Sequence, residues 1–78
     1  FNYAEAAKIY AELLERARSR NDSFNIPIYL QQLGHIHEQA KQFAEAIPYH
    51  QQLIEFYQTA GDPVPIPALV NKIADNYR

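Results

Sequence analysis

Residues 33–53 read LGHIHEQAKQFAEAIPYHQQL and contain two apolar stripes separated by one short polar break. Within each stripe the apolar or ring-bearing positions recur three or four residues apart, which is the spacing of one face of an α-helix. The two stripes consist of Leu33, Gly34, His37 and Ala40, followed by Phe43, Ala46, Ile47, His50 and Leu53. Because only Lys41 and Gln42 separate them, the two predicted helices must fold back on each other as an antiparallel hairpin.

The remainder of the chain repeats this hairpin at an offset of 40 residues, at which 8 of 38 aligned pairs are identical. The identical pairs are Ala4 and Ala44, Glu5 and Glu45, Ala6 and Ala46, Leu13 and Leu53, Glu15 and Glu55, Asp22 and Asp62, Ile26 and Ile66, and Pro27 and Pro67. Self-similarity at one fixed period is typical of proteins built from stacked structural repeats. The repeat therefore predicts a counterpart of the Phe43 helix from Tyr3 to Arg18, and a counterpart of the Leu33 helix after Pro67.

Turn-forming residues separate the predicted helices. The runs Asn21-Asp22-Ser23 and Gly61-Asp62-Pro63 are typical of helix ends, and Pro27 and Pro67 follow them where a proline is tolerated in a first turn. We expect an all-α solenoid of antiparallel helix hairpins with four helices. Residues 1–22 are the predicted second helix of one repeat, 23–62 a complete repeat, and 63–78 the first helix of the next.

Composition excludes several classes of protein. The 78 residues are 47% apolar and 21% charged, which indicates one folded domain at most. The formal net charge of −2 gives no broad positive field for a nucleic acid, and no apolar run is long enough to cross a bilayer. The absence of cysteine removes disulfides and thiolate chemistry. We expect a cytoplasmic protein without a cofactor, and without nucleic-acid or membrane partners.

No catalytic machinery is visible. Serine occurs only as Ser19 and Ser23, without a nucleophile elbow, and no phosphate-binding loop is present, so we expect no catalytic residue and no enzyme activity. His35 and His37 point to different sides of their helix, and no third ligand accompanies His37 and His50, so no metal site is expected. His37 and His50 are better interpreted as packed, hydrogen-bonded rings.

A basic cluster near the end of the first helix has a simple interpretation. Arg16, Arg18 and Arg20 lie where cations complement the dipole and free carbonyls of a helix C-terminus. This reading is preferred over binding of a phosphate or an acidic lipid.

The pattern Leu33-Gly34-x-x-His37, followed by Phe43-x-x-Ala46-x-x-x-His50-x-x-Leu53, resembles the signature of the tetratricopeptide repeat family. Its parts recur as Tyr3-x-x-Ala6-x-x-x-Tyr10-x-x-Leu13 and as Ile73-Ala74-x-x-Tyr77. The resemblance implies a right-handed superhelix in which Gly34 faces Ala46 at a close helix crossing.

Two features depart from the usual pattern of that family. The period of 40 exceeds the usual length of about 34 residues, and His37 and His50 replace the usual aromatic residues. Pro48 inside the second helix resembles the longer repeats of kinesin-light-chain type.

The resemblance also implies a function, namely presentation of a concave groove to a partner protein or peptide. In that family the non-core positions of each first helix line the groove. Here these positions are Ile28, Gln31, His35, Glu38 and Gln39, and then Ala68, Asn71, Lys72, Asp75 and Arg78. A clamp for an acidic peptide tail is not expected, because Gln31 and His35 occupy two of the places where some members carry lysine and asparagine.

Two alternatives to a scaffold or adaptor remain at this stage. The chain can belong to a regulatory sensor array in a larger signalling protein, where long repeats of this kind occur. It can also associate with itself end to end, because the outer apolar faces of the first and last helices have no neighbour in this sequence.

Overall fold

The computed structural model describes residues 2–62 and 66–76, and this part of the chain consists of α-helices joined by short turns. The helices are α1 (Tyr3–Ser19), α2 (Asn25–Gln39), α3 (Phe43–Ala60) and α4 (Ile66–Asn76). The expected all-α fold of helix hairpins is confirmed, and no strand occurs among these residues. Pro63, Tyr77 and Arg78, which carried sequence-based expectations, lie outside the described residues.

Each helix packs against the next one along the chain, α1 on α2, α2 on α3, and α3 on α4. The shared core is made of buried leucines from all four helices, namely Leu14, Leu30, Leu33, Leu53 and Leu69. A link also joins α1 to α3, because the Arg18 guanidinium donates a hydrogen bond to Oε1 of Gln52.

The turns after α1, α2 and α3 share one geometry. A residue one or two positions past the end of each helix has a positive φ, with 54° at Asn21, 61° at Lys41 and 75° at Gly61. The amide of the following residue then reaches back to a carbonyl five positions earlier, from Asp22 to Ala17, Gln42 to His37 and Asp62 to Tyr57, over 2.9, 2.7 and 2.9 Å. These are Schellman turns, and they recur at intervals of 20 residues.

Side-chain hydrogen bonds order the chain at the start of the first two helices. The Asn2 Oδ1 accepts a hydrogen bond from the Glu5 amide at 3.0 Å, ahead of α1. Before α2, the Asp22 carboxylate accepts hydrogen bonds from the Asn25 side-chain nitrogen at 2.6 Å and from its amide at 3.2 Å. These two bonds hold the pKa of Asp22 below its ordinary value.

The prolines lie at helix positions with different consequences. Pro27 and Pro67 fall in the first turns of α2 and α4, where no intrahelical donor is lost. Pro48 lies inside α3, so the Ala44 carbonyl loses the amide that would normally donate to it.

The inward stripe of α3 is fully covered, whereas the same stripe of α1 is not. Ala46, His50 and Leu53 are exposed by 0, 2 and 0%, because α2 packs on one side of α3 and α4 on the other. Their counterparts 40 residues earlier, Ala6, Tyr10 and Leu13, are only half-buried. Within the described residues, α1 has a sequence-adjacent helix on one side only, namely α2. This accounts for the lower burial of its inward stripe.

Candidate functional site

The helix α2 has a packed face and an exposed face, and the exposed face contributes one wall of a groove. Leu30, Leu33 and Ile36 are buried in the core. Gln31 and His35, four residues apart, are exposed on the same side of the helix. The 3.6-residue period thus aligns polar side chains along a surface that the core leucines hold in place.

Three helices enclose an open cleft of about 490 Å³ next to that surface. Its lining consists of Gln31, Gln32 and His35 from α2, His50 and Leu53 from α3, and Ala68, Leu69 and Lys72 from α4. The volume lies in the range of sites that hold small ligands or side chains of a partner. The two leucines are buried and the polar side chains of α2 and α4 are exposed, so the cleft has an apolar floor and a polar rim.

A carboxylate joins the three helices at the edge of the cleft. The Glu38 Oε1 atom lies 3.5 Å from Nε2 of His50 and 3.9 Å from Nζ of Lys72. The side chains of Glu38 and Lys72 are 23 and 52% exposed, so water screens their attraction and the pair stabilises the fold only weakly. Its main effect is to offset the charge of Lys72 locally.

His50 is a buried imidazole without a hydrogen bond. Neither of its ring nitrogens has a partner within the described part of the chain, and the 3.5 Å separation from Glu38 exceeds an ordinary hydrogen bond. The hydrogen bond expected for His50 is thus not made within the residues described. Burial lowers the pKa of His50, and Lys72 lowers it further, whereas the Glu38 carboxylate raises it without reversing the shift. The ring is consequently neutral at pH 7.

The close crossing of α2 and α3 is made by Gly34 and His50. A Cβ atom at position 34 would lie 2.8 Å from Cε1 and 3.2 Å from Nδ1 of His50, and the three nearest atoms all belong to that ring. We expected Ala46 to occupy this place, but Ala46 is buried without being the nearest neighbour. The glycine makes room for the imidazole, which is wider than an alanine.

The other histidine of the signature, His37, has a different environment. His37 Nδ1 lies 2.8 Å from Gln42 Oε1, and the ring stacks on Tyr49 with centroids 5.5 Å apart and planes inclined by 7°. His37 is therefore a packed, hydrogen-bonded ring of the α2–α3 hairpin, as expected. Within the described ranges, no group of three histidine, cysteine or acidic side chains is arranged to hold a metal ion.

The structure distributes the groove residues expected from the sequence over several places. Those that line the cleft are Gln31, His35, Ala68 and Lys72. Glu38 contacts two of the three walls from the edge. The exposed residues that lie outside the cleft are Ile28, Gln39, Asn71 and Asp75. Arg78 lies beyond the residues described.

Four residues of the cleft lining were not among the expected groove positions, namely Gln32, His50, Leu53 and Leu69, and of these His50 and Leu53 were expected only as packed residues of the signature. Gln32 is the counterpart of Lys72 at the 40-residue offset, so a groove position selected in one repeat already indicated it in the other. The place of Leu69 on the cleft floor depends on how α4 packs on α3.

A second cleft of about 430 Å³ lies between α1 and α2. Its walls are Tyr3, Ala6 and Tyr10 from α1, and Gln32, His35, Ile36 and Gln39 from α2. His35 and Gln32 line both clefts, so the two form one continuous surface across α2.

Antiparallel helix hairpins that repeat every 40 residues and cross closely at Gly34 define a helical-repeat protein. The family model described as tetratricopeptide repeat matches residues 1–59, and the chain belongs to that family. No curated protein and no solved structure matches the chain. Tetratricopeptide repeats generally mediate protein–protein interaction and are typically non-catalytic. None of the described helices is long and apolar enough to span a membrane.

Proposed function

We propose that the chain is a protein–protein interaction module that holds a segment of a partner protein in the groove formed by α2 and α4. The observation that carries this proposal is the 490 Å³ cleft, which combines a floor of Leu53 and Leu69 with a polar rim. An extended or helical peptide fits such a surface, because an apolar side chain can enter the floor while backbone groups reach the rim.

The rim favours hydrogen bonds over net charge. Gln31 and Gln32 offer amide donors and acceptors, and His35 adds an imidazole. The one lysine of the cleft, Lys72, has the Glu38 carboxylate 3.9 Å away. We therefore expect partner binding to be governed by hydrogen bonds and apolar contact, so its affinity changes little with salt.

Site-specific photocrosslinking tests the location of the surface. A photoreactive phenylalanine analogue replaces Gln31 in the groove, and the matched control replaces Glu12, an exposed residue that lines only a surface of α1. Crosslinks to one defined partner segment from position 31, and none from position 12, are the expected result. Equal crosslinking from both positions, or crosslinking from position 12 alone, rules out the groove.

An isotherm with the crosslinked segment then tests the chemistry. Gln31→Ala is expected to weaken binding about 5- to 30-fold, the loss of one or two hydrogen bonds, whereas Glu12→Ala leaves it unchanged. A collapse of affinity between low and physiological salt would show that charge dominates instead.

Self-association is a second candidate function, favoured by the uneven burial of equivalent helices. Val70 of α4 is 51% exposed, whereas its counterpart Leu30 in α2 is 1% exposed. The covered face of α2 packs on α3, and α1 is the counterpart of α3. The contact of α2 with α3 within the chain is thus a template for a contact between two copies, in which α4 of one copy packs on α1 of the other.

A pair of complementary variants tests this template. Val70→Glu spoils the α4 face and Tyr10→Glu spoils the α1 face, so each variant alone is expected to sediment as a monomer. An equimolar mixture is expected to form a dimer and no larger species, because one intact pair of faces remains. A wild-type chain that sediments as a monomer at millimolar concentration would exclude the second candidate.

A further inference from the structure

One side of the space around His50 is formed by α4, whose described part contributes one buried side chain to the core. Leu69 is the buried side chain of α4 among the residues described. The helix closes one side of the cleft whose floor includes His50, and it carries Lys72 toward Glu38. The imidazole is 2% exposed with α4 in this position.

Docking of α4 and protonation of His50 oppose each other on two physical grounds. The docked helix helps to exclude water from the ring, and exclusion of water disfavours an imidazolium. It also brings the Lys72 ammonium to the carboxylate next to the ring, so that a second positive charge there is repelled. When α4 leaves, the ring is hydrated and Lys72 departs, while Glu38, which is 3.5 Å from Nε2 with α4 docked, stays on α2 to pair with the imidazolium.

We propose that α4 is a proton-linked gate, in which uptake of one proton by His50 releases α4 from α3 and opens the cleft. The linkage is reciprocal, because any group whose proton affinity differs between two states shifts the equilibrium between them. Mild acid thereby removes one wall of the α2–α4 surface and hydrates its floor.

The titratable and charged groups around the ring are few. From α2, Glu38 faces Nε2, and His35 lines the same cleft at its exposed rim. From α4, Lys72 lines the cleft, with Asp75 one turn further along. On α3 itself no charged residue lies between Glu45 and Glu55.

The released state sets the pH at which the gate responds. With α4 away, His50 is hydrated and regains the proton affinity that burial had lowered; the pKa of an unperturbed histidine is about 6.5. Below that pH the opening constant of α4 rises, approaching tenfold per pH unit while the docked ring stays neutral. Above it the opening constant does not depend on pH through this residue.

Amide hydrogen exchange of the 78-residue chain, followed by NMR from pH 7.5 to 5.0 and divided by intrinsic exchange rates, measures this opening. We expect the protection of α4 amides to fall by about tenfold or more below pH 6.5, while amides of α2 and α3 remain better protected. His50→Gln is expected to abolish the pH dependence, and the matched control His35→Gln to retain it.

Two neighbours of the ring extend the test in case His50→Gln fails to fold. Glu38→Gln removes the anion that stabilises the imidazolium in the released state, so the response shifts to lower pH. Lys72→Met removes the repulsion in the docked state, so the total pH-dependent change becomes smaller. Protection of α4 that stays flat from pH 7.5 to 5.0 overturns the proposal. So does an equal rise of exchange in all the helices, which reports global unfolding.

Discussion

Replacing Gly34 by alanine is expected to destabilise the chain, although the same exchange stabilises most helices. A Cβ atom at position 34 would lie 2.8 Å from Cε1 of His50, whereas ordinary carbon contacts are about 3.5 to 4.0 Å. The ring would have to retreat by about 0.7 Å or more. The ring is 2% exposed and packs directly on Gly34, so moving it toward the open cleft that it lines would disrupt its contacts with α2.

Two opposing terms determine the size of the effect. Overpacking of a filled core costs about 1–3 kcal/mol, and alanine gains about 1 kcal/mol over glycine in helix propensity. The net loss for Gly34→Ala is therefore about 1 kcal/mol, or a fall of about 4–8 °C in Tm for a domain of this size. Gly34→Leu places three more carbons against the same ring and is expected to cost about 3 kcal/mol or more.

Urea unfolding at pH 7.5 measures these differences, and the counterpart position supplies a control. Ala74 occupies the equivalent place in α4 and is exposed, so Ala74→Gly should cost about 1 kcal/mol by propensity alone. In a His50→Ala background the overlap disappears, and Gly34→Ala should become stabilising. A wild-type chain made more stable by Gly34→Ala would refute the close contact between Gly34 and the imidazole.

Three further predictions concern stability. Lys41→Gly should stabilise by about 0.5–1 kcal/mol because glycine tolerates the φ of 61°, whereas Lys41→Ala should have little effect; an unchanged Tm for Lys41→Gly would contradict this. Pro48→Ala should stabilise the chain by about 1 kcal/mol and so raise its Tm, because it restores a donor to the Ala44 carbonyl. A lower Tm would show that the proline stabilises α3. The lowered pKa of His50 means that the unfolded chain binds its proton more readily, so stability is full above about pH 6.5 and falls below it, by at most about 1.4 kcal/mol per pH unit. Urea midpoints at pH 7.5, 6.0 and 5.0 check this slope, and a His50→Gln chain with the same slope would assign it elsewhere.

The helices were predictable because their signals are local. The first helix was expected from Tyr3 to Arg18 and is observed from Tyr3 to Ser19, since apolar spacing and the turn residues after it act within one or two turns. The hairpin around Lys41 followed from the shortness of the break, which leaves no room for another path.

Part of the cleft lining was predictable through the resemblance to the tetratricopeptide repeat family, but its chemistry was not. Helical periodicity places Gln31, His35 and Lys72 on exposed faces, and all three line the cleft. The same periodicity says only that position 50 faces inward. Glu38 lies 3.5 Å from the ring and Gly34 is in contact with it. Both distances depend on how three helices pack together, which the apolar pattern of one helix does not determine.

The equal spacing of the Schellman turns limits how such a chain can lengthen in evolution. One helix with its turn occupies 20 residues, but the first and second helices of a repeat bury different faces, so the two are not interchangeable. Duplication of a single 20-residue unit would preserve every turn. It would, however, put a first helix where a second helix belongs, with its polar groove residues against the core. Insertions that keep the fold must therefore come in pairs of helices, in steps of 40 residues.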